Sequence, residues 1–235
     1  MATSGTVTFN LDIEELIEEA YEQTGLDMKT AYNLRSARRS LDLLFKEWQN
    51  KQVNLWKMEL LTTDCISGTA TYTLATTLQD VLDVSWRNSS GNDTPLERSG
   101  MSKYLDIVDK DAAGPPINYV VERGISTITL RLWPVPDSST YDLVYWGIKK
   151  IEDTGAYSNQ LDLPKRFMPA LIAGLAHKIG GKNPARMAME NGRVIQVGGV
   201  SDQKLAQLAN DYKVAWDEAQ LEDREKSSFF IHPGR

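Results

Sequence analysis

The sequence predicts an α+β chain, a helical bundle formed by N- and C-terminal helices with an antiparallel β region inserted between them. Three observations carry this. Apolar residues recur at helical spacing near both ends. From about Val53 to Ile151 the apolar period falls closer to two. Turn-forming clusters punctuate that middle stretch. The resulting organisation is an N-terminal helical hairpin over 1–52, a β-rich insert over 53–151, C-terminal helices over 152–226 that complete the bundle, and an extended arm over 227–235.

The first helix takes Asn10 as its cap, Asp12, Glu14 and Glu15 in its first turn, and Gly25 just past its end. Ile13, Leu16, Ile17, Ala20 and Tyr21 form its apolar stripe, and Glu14, Glu15, Glu18, Glu19 and Glu22 fill the rest. A second helix, from about Met28 to Asn50, carries Leu34, Ala37, Leu41, Leu44, Phe45 and Trp48 on one side and Arg35, Arg38 and Arg39 on its flank. A short Gly-containing turn between two such helices makes an antiparallel hairpin.

In the middle, strands are expected at Thr69–Leu74, Val81–Trp86, Tyr119–Val121, Thr127–Trp133 and Tyr141–Ile148. Turns separate them at Ser89–Asp93, Gly114-Pro115-Pro116, Arg123-Gly124 and Pro134–Asp137, with a short helix over Ser102–Asp109. Leu130, Leu132 and Leu143 face a core there, and Thr129, Arg131 and Asp142 face water.

Helix returns after Pro164 with Phe167, Leu171, Leu175 and Ile179 on one side, and Gly180-Gly181 stops it. A further piece begins near Pro184 and carries Ala185, Met187 and Met189. Asn191–Val200 is a loop or small hairpin with an apolar centre, Val194-Ile195-Gln196-Val197. Ser201 and Asp202 open a last helix bearing Leu205, Leu208, Tyr212, Ala215, Trp216 and Ala219.

Composition narrows the function. The 235 residues are 41% hydrophobic and 25% charged, ordinary values for a chain that holds its own core. Lys and Arg number 26 against 32 Asp and Glu, a net charge of −6, which disfavours a surface that coats a phosphate backbone. A single cysteine, Cys65, excludes an intramolecular disulfide and a zinc-finger framework. His177 and His232 lie far apart and form no metal signature, so no metal or other cofactor is expected. The polar start of the chain reads as no signal peptide, and no apolar run approaches the roughly 20 residues of a membrane span, so a cytoplasmic origin and no membrane are expected.

Each chemical motif has a plainer explanation. The five glutamates lie on a solvated helix face, where no carboxyl is desolvated enough for acid catalysis. Arg35, Arg38 and Arg39 form too small a patch for nucleic acid and suit a salt bridge to the first helix or to a neighbouring subunit. Gly180-Gly181-Lys182 is followed by Asn183-Pro184 and lacks the spacing of a phosphate loop. His177 sits beside an apolar stripe without ligand partners, and Cys65 has no histidine near it in sequence. No nucleophile elbow occurs, so no catalytic residue is assigned. Two segments exceed the plain expectation. Phe229-Phe230-Ile231-His232-Pro233 places apolar side chains in a polar tail, which either orders against a partner or folds back on its own core. Val194 and Ile195 sit between glycines and either touch a neighbour, line a channel or close over the body.

A set of segments, in order and spacing, resembles the head-to-tail adaptor (connector, head-completion) proteins of tailed bacteriophages, especially short-tailed ones. They are Asp12–Gly25, Ala37–Trp48 and Asn54-Leu55-Trp56. Next come Gly114–Tyr119, Leu132–Asp137 and Tyr141–Tyr145, and last Asp162–Leu171 and Gly174–Lys178. The resemblance spans about residues 7–220. It implies a structural virion neck protein that is not an enzyme. Such a protein forms a homo-oligomeric ring, commonly of twelve copies, beneath the portal protein, assembled in the host cytoplasm. The ring extends the DNA channel without binding DNA specifically, and offers a platform to tail nozzle or tail tube proteins. On that basis Phe229, Phe230, Ile231, His232 and Pro233 form a portal-docking arm, and Arg35, Arg38, Arg39, Glu15, Glu19, Val194 and Ile195 are candidate subunit contacts. The alternatives are a small cell-wall hydrolase and a nucleic-acid-binding accessory protein.

Overall fold

A computed structural model describes residues 9–27, 31–51, 55–190 and 193–222. The chain folds into two compact units, one of 1–56 with 151–235 and the other of 57–150. Helices at both ends and mainly antiparallel sheets between them give the expected α+β class.

The helical unit begins with α1 (Ile13–Thr24). Its cap is Asp12, two residues later than the sequence suggests at Asn10. Asp12 and Glu15 form a reciprocal capping box: the Glu15 amide donates to Asp12 Oδ1 at 2.8 Å, and the Asp12 amide donates to Glu15 Oε2 at 3.1 Å. Two partnered amides outweigh what Asn10 alone offers. Gly25 closes the helix in the left-handed conformation, φ 72°, which costs a glycine nothing. The stripe Ile13, Leu16, Ile17, Ala20 and Tyr21 is buried throughout.

The second helix, α2 (Ala31–Asn50), buries Ala37, Leu41, Leu44, Phe45 and Trp48. After a 3-10 turn at Lys165–Phe167, α4 (Met168–Lys182) runs through the centre of the unit and buries Phe167, Leu171, Leu175 and Ile179. It touches α1, α2 and the last helix, α5 (Asp202–Glu222), so α1 packs mainly on α4 rather than pairing with α2 as a simple hairpin. Gly180 and Gly181 do not stop α4. A Cβ at Gly180 would lie 3.3 Å from Leu205 and from Leu208, so the glycine is there to let α5 approach. The piece after Pro184 is a strand, β9 (Arg186–Glu190), paired antiparallel with β10 (Arg193–Val197). Ala, Met and Glu favour helix in isolation, and cross-strand pairing overrides that preference. Gly199, φ 66°, sits at the root of this hairpin, where a Cβ would lie 2.5 Å from the Pro184 carbonyl oxygen.

An aromatic cluster forms the centre of this core. Trp48 lies 4.9 Å from Trp216 and 5.7 Å from Phe167, and Trp56 lies 4.7 Å from Phe167, centroid to centroid. The Trp48 indole N–H donates to the Tyr212 hydroxyl at 2.9 Å, so the buried ring carries no unpaired polar atom.

Residues 151–162 form a strap without regular structure that ties the two N-terminal helices down. The amides of Ile13 and Glu14, unpaired by their own helix, donate to the carbonyls of Asn159 and Tyr157 at 3.3 and 3.2 Å. On α2, residues 38, 42 and 46 fall on one face and hold the other side of the strap. Arg38 donates to the Gly155 carbonyl at 3.0 Å and stacks over Tyr157, and Lys46 pairs with Asp153 at 2.9 Å. Asp42 Oδ1 accepts from both the amide and the hydroxyl of buried Thr154, each at 3.0 Å. Asp42→Ala leaves two donors at a buried residue without their acceptor. It is expected to cost about 1–3 kcal/mol in chemical denaturation and to open 151–162 to limited proteolysis.

The second unit holds two four-stranded sheets. One has the order β1 (Met58–Asp64), β8 (Asp142–Lys149), β3 (Leu78–Arg87), β4 (Asp93–Pro95), all antiparallel. The other has the order β2 (Thr71–Thr73), β7 (Ile128–Trp133), β6 (Asn118–Arg123), β5 (Glu97–Arg98). Here β5 runs parallel to β6, so the region is not wholly antiparallel. A short helix, α3 (Met101–Leu105), joins β5 to the loop before β6. Between the sheets lie Tyr72, Leu78, Val81, Tyr119, Leu130, Leu132, Leu143 and Tyr145. Leu130, Leu132 and Leu143 are fully buried while Thr129, Arg131 and Asp142 are half-buried, as the alternation requires. The Tyr119 hydroxyl donates to the Leu82 carbonyl at 2.8 Å, and burial raises its pKa.

Candidate interaction surfaces

The glutamates at 14, 15, 18, 19 and 22 are all exposed, because the opposite face of α1 is spent on the core. Among the described residues none of them pairs with a basic side chain, and only Glu15 is engaged, in the capping box. Glu15 and Glu19 therefore stand on an open acidic face.

The three arginines divide. Arg38 is taken up by the strap, where the Gly155 carbonyl and the Tyr157 ring hold it. Arg35 and Arg39 are exposed on α2. Among the described residues neither Arg38 nor Arg39 forms an ion pair with α1, so the salt bridge to the first helix is not how those two are used. Beside Arg39 lies Lys182, the last residue of α4. Its ammonium donates to Ser40 Oγ at 2.5 Å and to the Ser36 carbonyl at 3.3 Å. Partial burial, with Arg39 and Lys178 as like-charged neighbours, lowers its pKa from 10.5. Lys178 is neutralised by Glu47 at 2.5 Å. Arg39 and Lys182 border a groove of about 510 Å³ whose other lining residues are Tyr21, Tyr32, Asn33, Ser36, Leu43 and Asn183.

Sequence reasoning missed this groove. Its legible signals are Arg39, already a candidate contact, and Leu43, an apolar residue outside the stripe that α2 buries, which is 59% exposed.

Val194 and Ile195 lie in β10, opposite Met189 and Ala188 of β9. Met187 and Met189 are exposed, so the hairpin carries apolar side chains outside the core. Residues 227–235, with the Phe229–Pro233 segment, lie outside the described residues. In the β unit, Met101 and Leu105 of α3 and Val108 beyond it are also exposed, at i, i+4 and i+7.

The groups with chemical potential are placed less suggestively. His177 is half-buried on α4. Among the described residues no three His, Cys, Asp or Glu side chains gather as metal ligands, and no helix is long and apolar enough to cross a membrane. A small cleft beside the strap is lined by Glu152, Asp153 and Asp162, but Asp153 pairs with Lys46 and Asp162 accepts from the Glu152 amide at 3.3 Å.

Cys65 is buried, and that burial pushes its thiol up from 9.0 to about 11 against the lowering effect of its hydrogen bond with Tyr72. The neutral form is the one the fold prefers. Its contribution to stability is therefore complete below about pH 9 and is lost as pH rises toward 11. At pH 8 the folded chain should react with iodoacetamide roughly a hundredfold more slowly than the urea-unfolded chain, from thiolate fraction alone. Equal rates would show the thiol to be open.

Compared with known proteins, the chain matches the family model of the SU10 adaptor protein over residues 16–224. No curated protein matches it.

Proposed function

We infer the role of this chain from its membership, for it belongs to the SU10 adaptor protein family. It is accordingly a structural adaptor of the phage neck. The finer role proposed is a ring, of twelve copies, seated beneath the portal. The ring prolongs the DNA channel and gives the tail its platform. The observation that carries this is the span of the match, which takes in α1 from Leu16, the whole β unit and α5 to its end. A likeness confined to one unit would speak for a shared fold alone.

The surfaces agree with that role. The net charge of −6 suits a wall past which DNA slides, since like charge repels the phosphates. Residues Phe229–Pro233 are proposed as the portal-docking arm, and the exposed α3 patch offers apolar area to tail proteins. Arg35, Arg39, Glu15, Glu19 and the β9–β10 hairpin with Val194 and Ile195 are proposed as contacts between copies. Arg38 is removed from that set, because the strap occupies it. Electron microscopy of the cognate portal incubated with the chain tests the placement. Added annular density on one end of the portal is expected, and averages indistinguishable from the portal alone would contradict it.

A further inference from the structure

We propose that the α2 stripe of Tyr32, Ser36, Arg39 and Leu43, together with Lys182, receives the acidic α1 face of a second copy of this chain. This rests on the ring described above and names the contact that would build it.

The stripe lies on the side of α2 away from its buried residues. Residues 32, 36, 39 and 43 recur at i, i+4, i+7 and i+11, so they align on one side of α2. Tyr32 is 65% exposed and Leu43 59%, two large apolar side chains left in water on the side away from the core. Between them Arg39 has no carboxylate partner among the described residues. Among the described residues Lys182 is held by the neutral oxygens of Ser36 and Ser40 and by no carboxylate. The groove thus gathers two positive charges and no negative one, flanked by apolar surface.

The complement is present on the same chain. Glu15, Glu18, Glu19 and Glu22 are exposed along α1 and pair with no base within it. The stripe from Tyr32 to Leu43 rises about 16 Å, and Glu15 to Glu22 rises about 10 Å, so one face fits along the other. Pairing them across two copies joins opposite charges, which a contact with any acidic stranger would do no better. Because the two patches differ, the contact is head-to-tail and each copy uses both, the arrangement that closes into a ring when the rotation fits.

The test uses the full chain in sedimentation velocity, at low salt, over a concentration series. Wild type should self-associate, and added salt should weaken the association. Arg39→Glu, which breaks the groove, should weaken it roughly tenfold, and Leu43→Glu should act likewise. Glu18→Lys with Glu19→Lys, which breaks the acidic face, should do the same. An equimolar mixture of Arg39→Glu with the double-lysine variant retains one intact groove and one intact face. It should associate where neither variant does alone, since the carboxylate that Arg39→Glu introduces also faces the two ammonium groups of the double-lysine variant. Circular dichroism melting should match wild type for each variant, since all four positions are exposed.

A wild-type chain that stays monomeric throughout, groove variants that associate as wild type does, or a mixture no better than its components would each overturn the contact. If Arg39→Glu lost affinity for duplex DNA while its association was unchanged, phosphate and not a second copy would be the occupant. The portal separates the two levels. Normal rings of Arg39→Glu on the portal would refute this contact and leave the adaptor role standing. Wild-type chain that associates through the groove yet ignores the portal would do the reverse.

Discussion

Replacing Trp48 with alanine is expected to destabilise the helical unit by about 3–5 kcal/mol, the largest effect of any single substitution described. The ring is fully buried and meets Phe45, Phe167 and Trp216, which belong to α2, the turn before α4 and α5. Three segments far apart in sequence thus share one side chain. Its removal leaves a cavity that rigid aromatic neighbours cannot fill, and it leaves the Tyr212 hydroxyl with only its longer contact, the Lys51 ammonium at 3.4 Å, among the described residues. Trp48→Phe separates the contributions. It keeps most of the volume and loses the hydrogen bond, so about 1–2 kcal/mol is expected from urea denaturation. Equal losses for both variants would mean that the hydrogen bond, and not packing, dominates.

The second large effect is on binding. Deletion of residues 227–235 is expected to abolish attachment to the portal while the fold stays intact. The sequence from Asp223 to Ser228 is polar, and Phe229, Phe230 and Ile231 then follow without a break. Two aromatic rings and a β-branched chain in so polar a setting supply apolar area and anchor side chains of the kind that dominate protein interfaces. Leu208, Trp216 and Ala219 of α5 are buried in the core of the helical unit, and the shortened chain is expected to keep that core. Co-sedimentation with the portal measures attachment, and thermal melting checks the fold. Retained co-sedimentation would contradict the arm. Lost melting cooperativity would instead assign the segment to the core.

Much of the fold was legible because its elements follow simple periods. The buried stripes of α1, α2, α4 and α5, and the inward residues of β7 and β8, are apolar at the positions that a 3.6 or 2.0 repeat requires. What escaped did so for definite reasons. Strand β1, Met-Glu-Leu-Leu-Thr-Thr-Asp, lies at a sheet edge with little of it buried, so it has no alternation to read. The β5–β6 pair is parallel over two residues and leaves no sequence trace. Gly180 reads as a stop until α5 is seen against it. The interaction surface was legible only in parts. The arginines and glutamates stand out in the sequence, but nothing local tells that Arg38 is claimed by Gly155, 117 positions away, while Arg39 finds no carboxylate among the described residues. Lys182 joins Arg39 only because α4 ends beside α2, a tertiary fact.

The most direct measurement of the central claim is mass by light scattering, for the chain alone and after addition of the cognate portal. A discrete complex with a fixed number of chains per portal, close to one per portal subunit, is the expected result. A chain whose mass is the same with and without the portal would contradict the adaptor role.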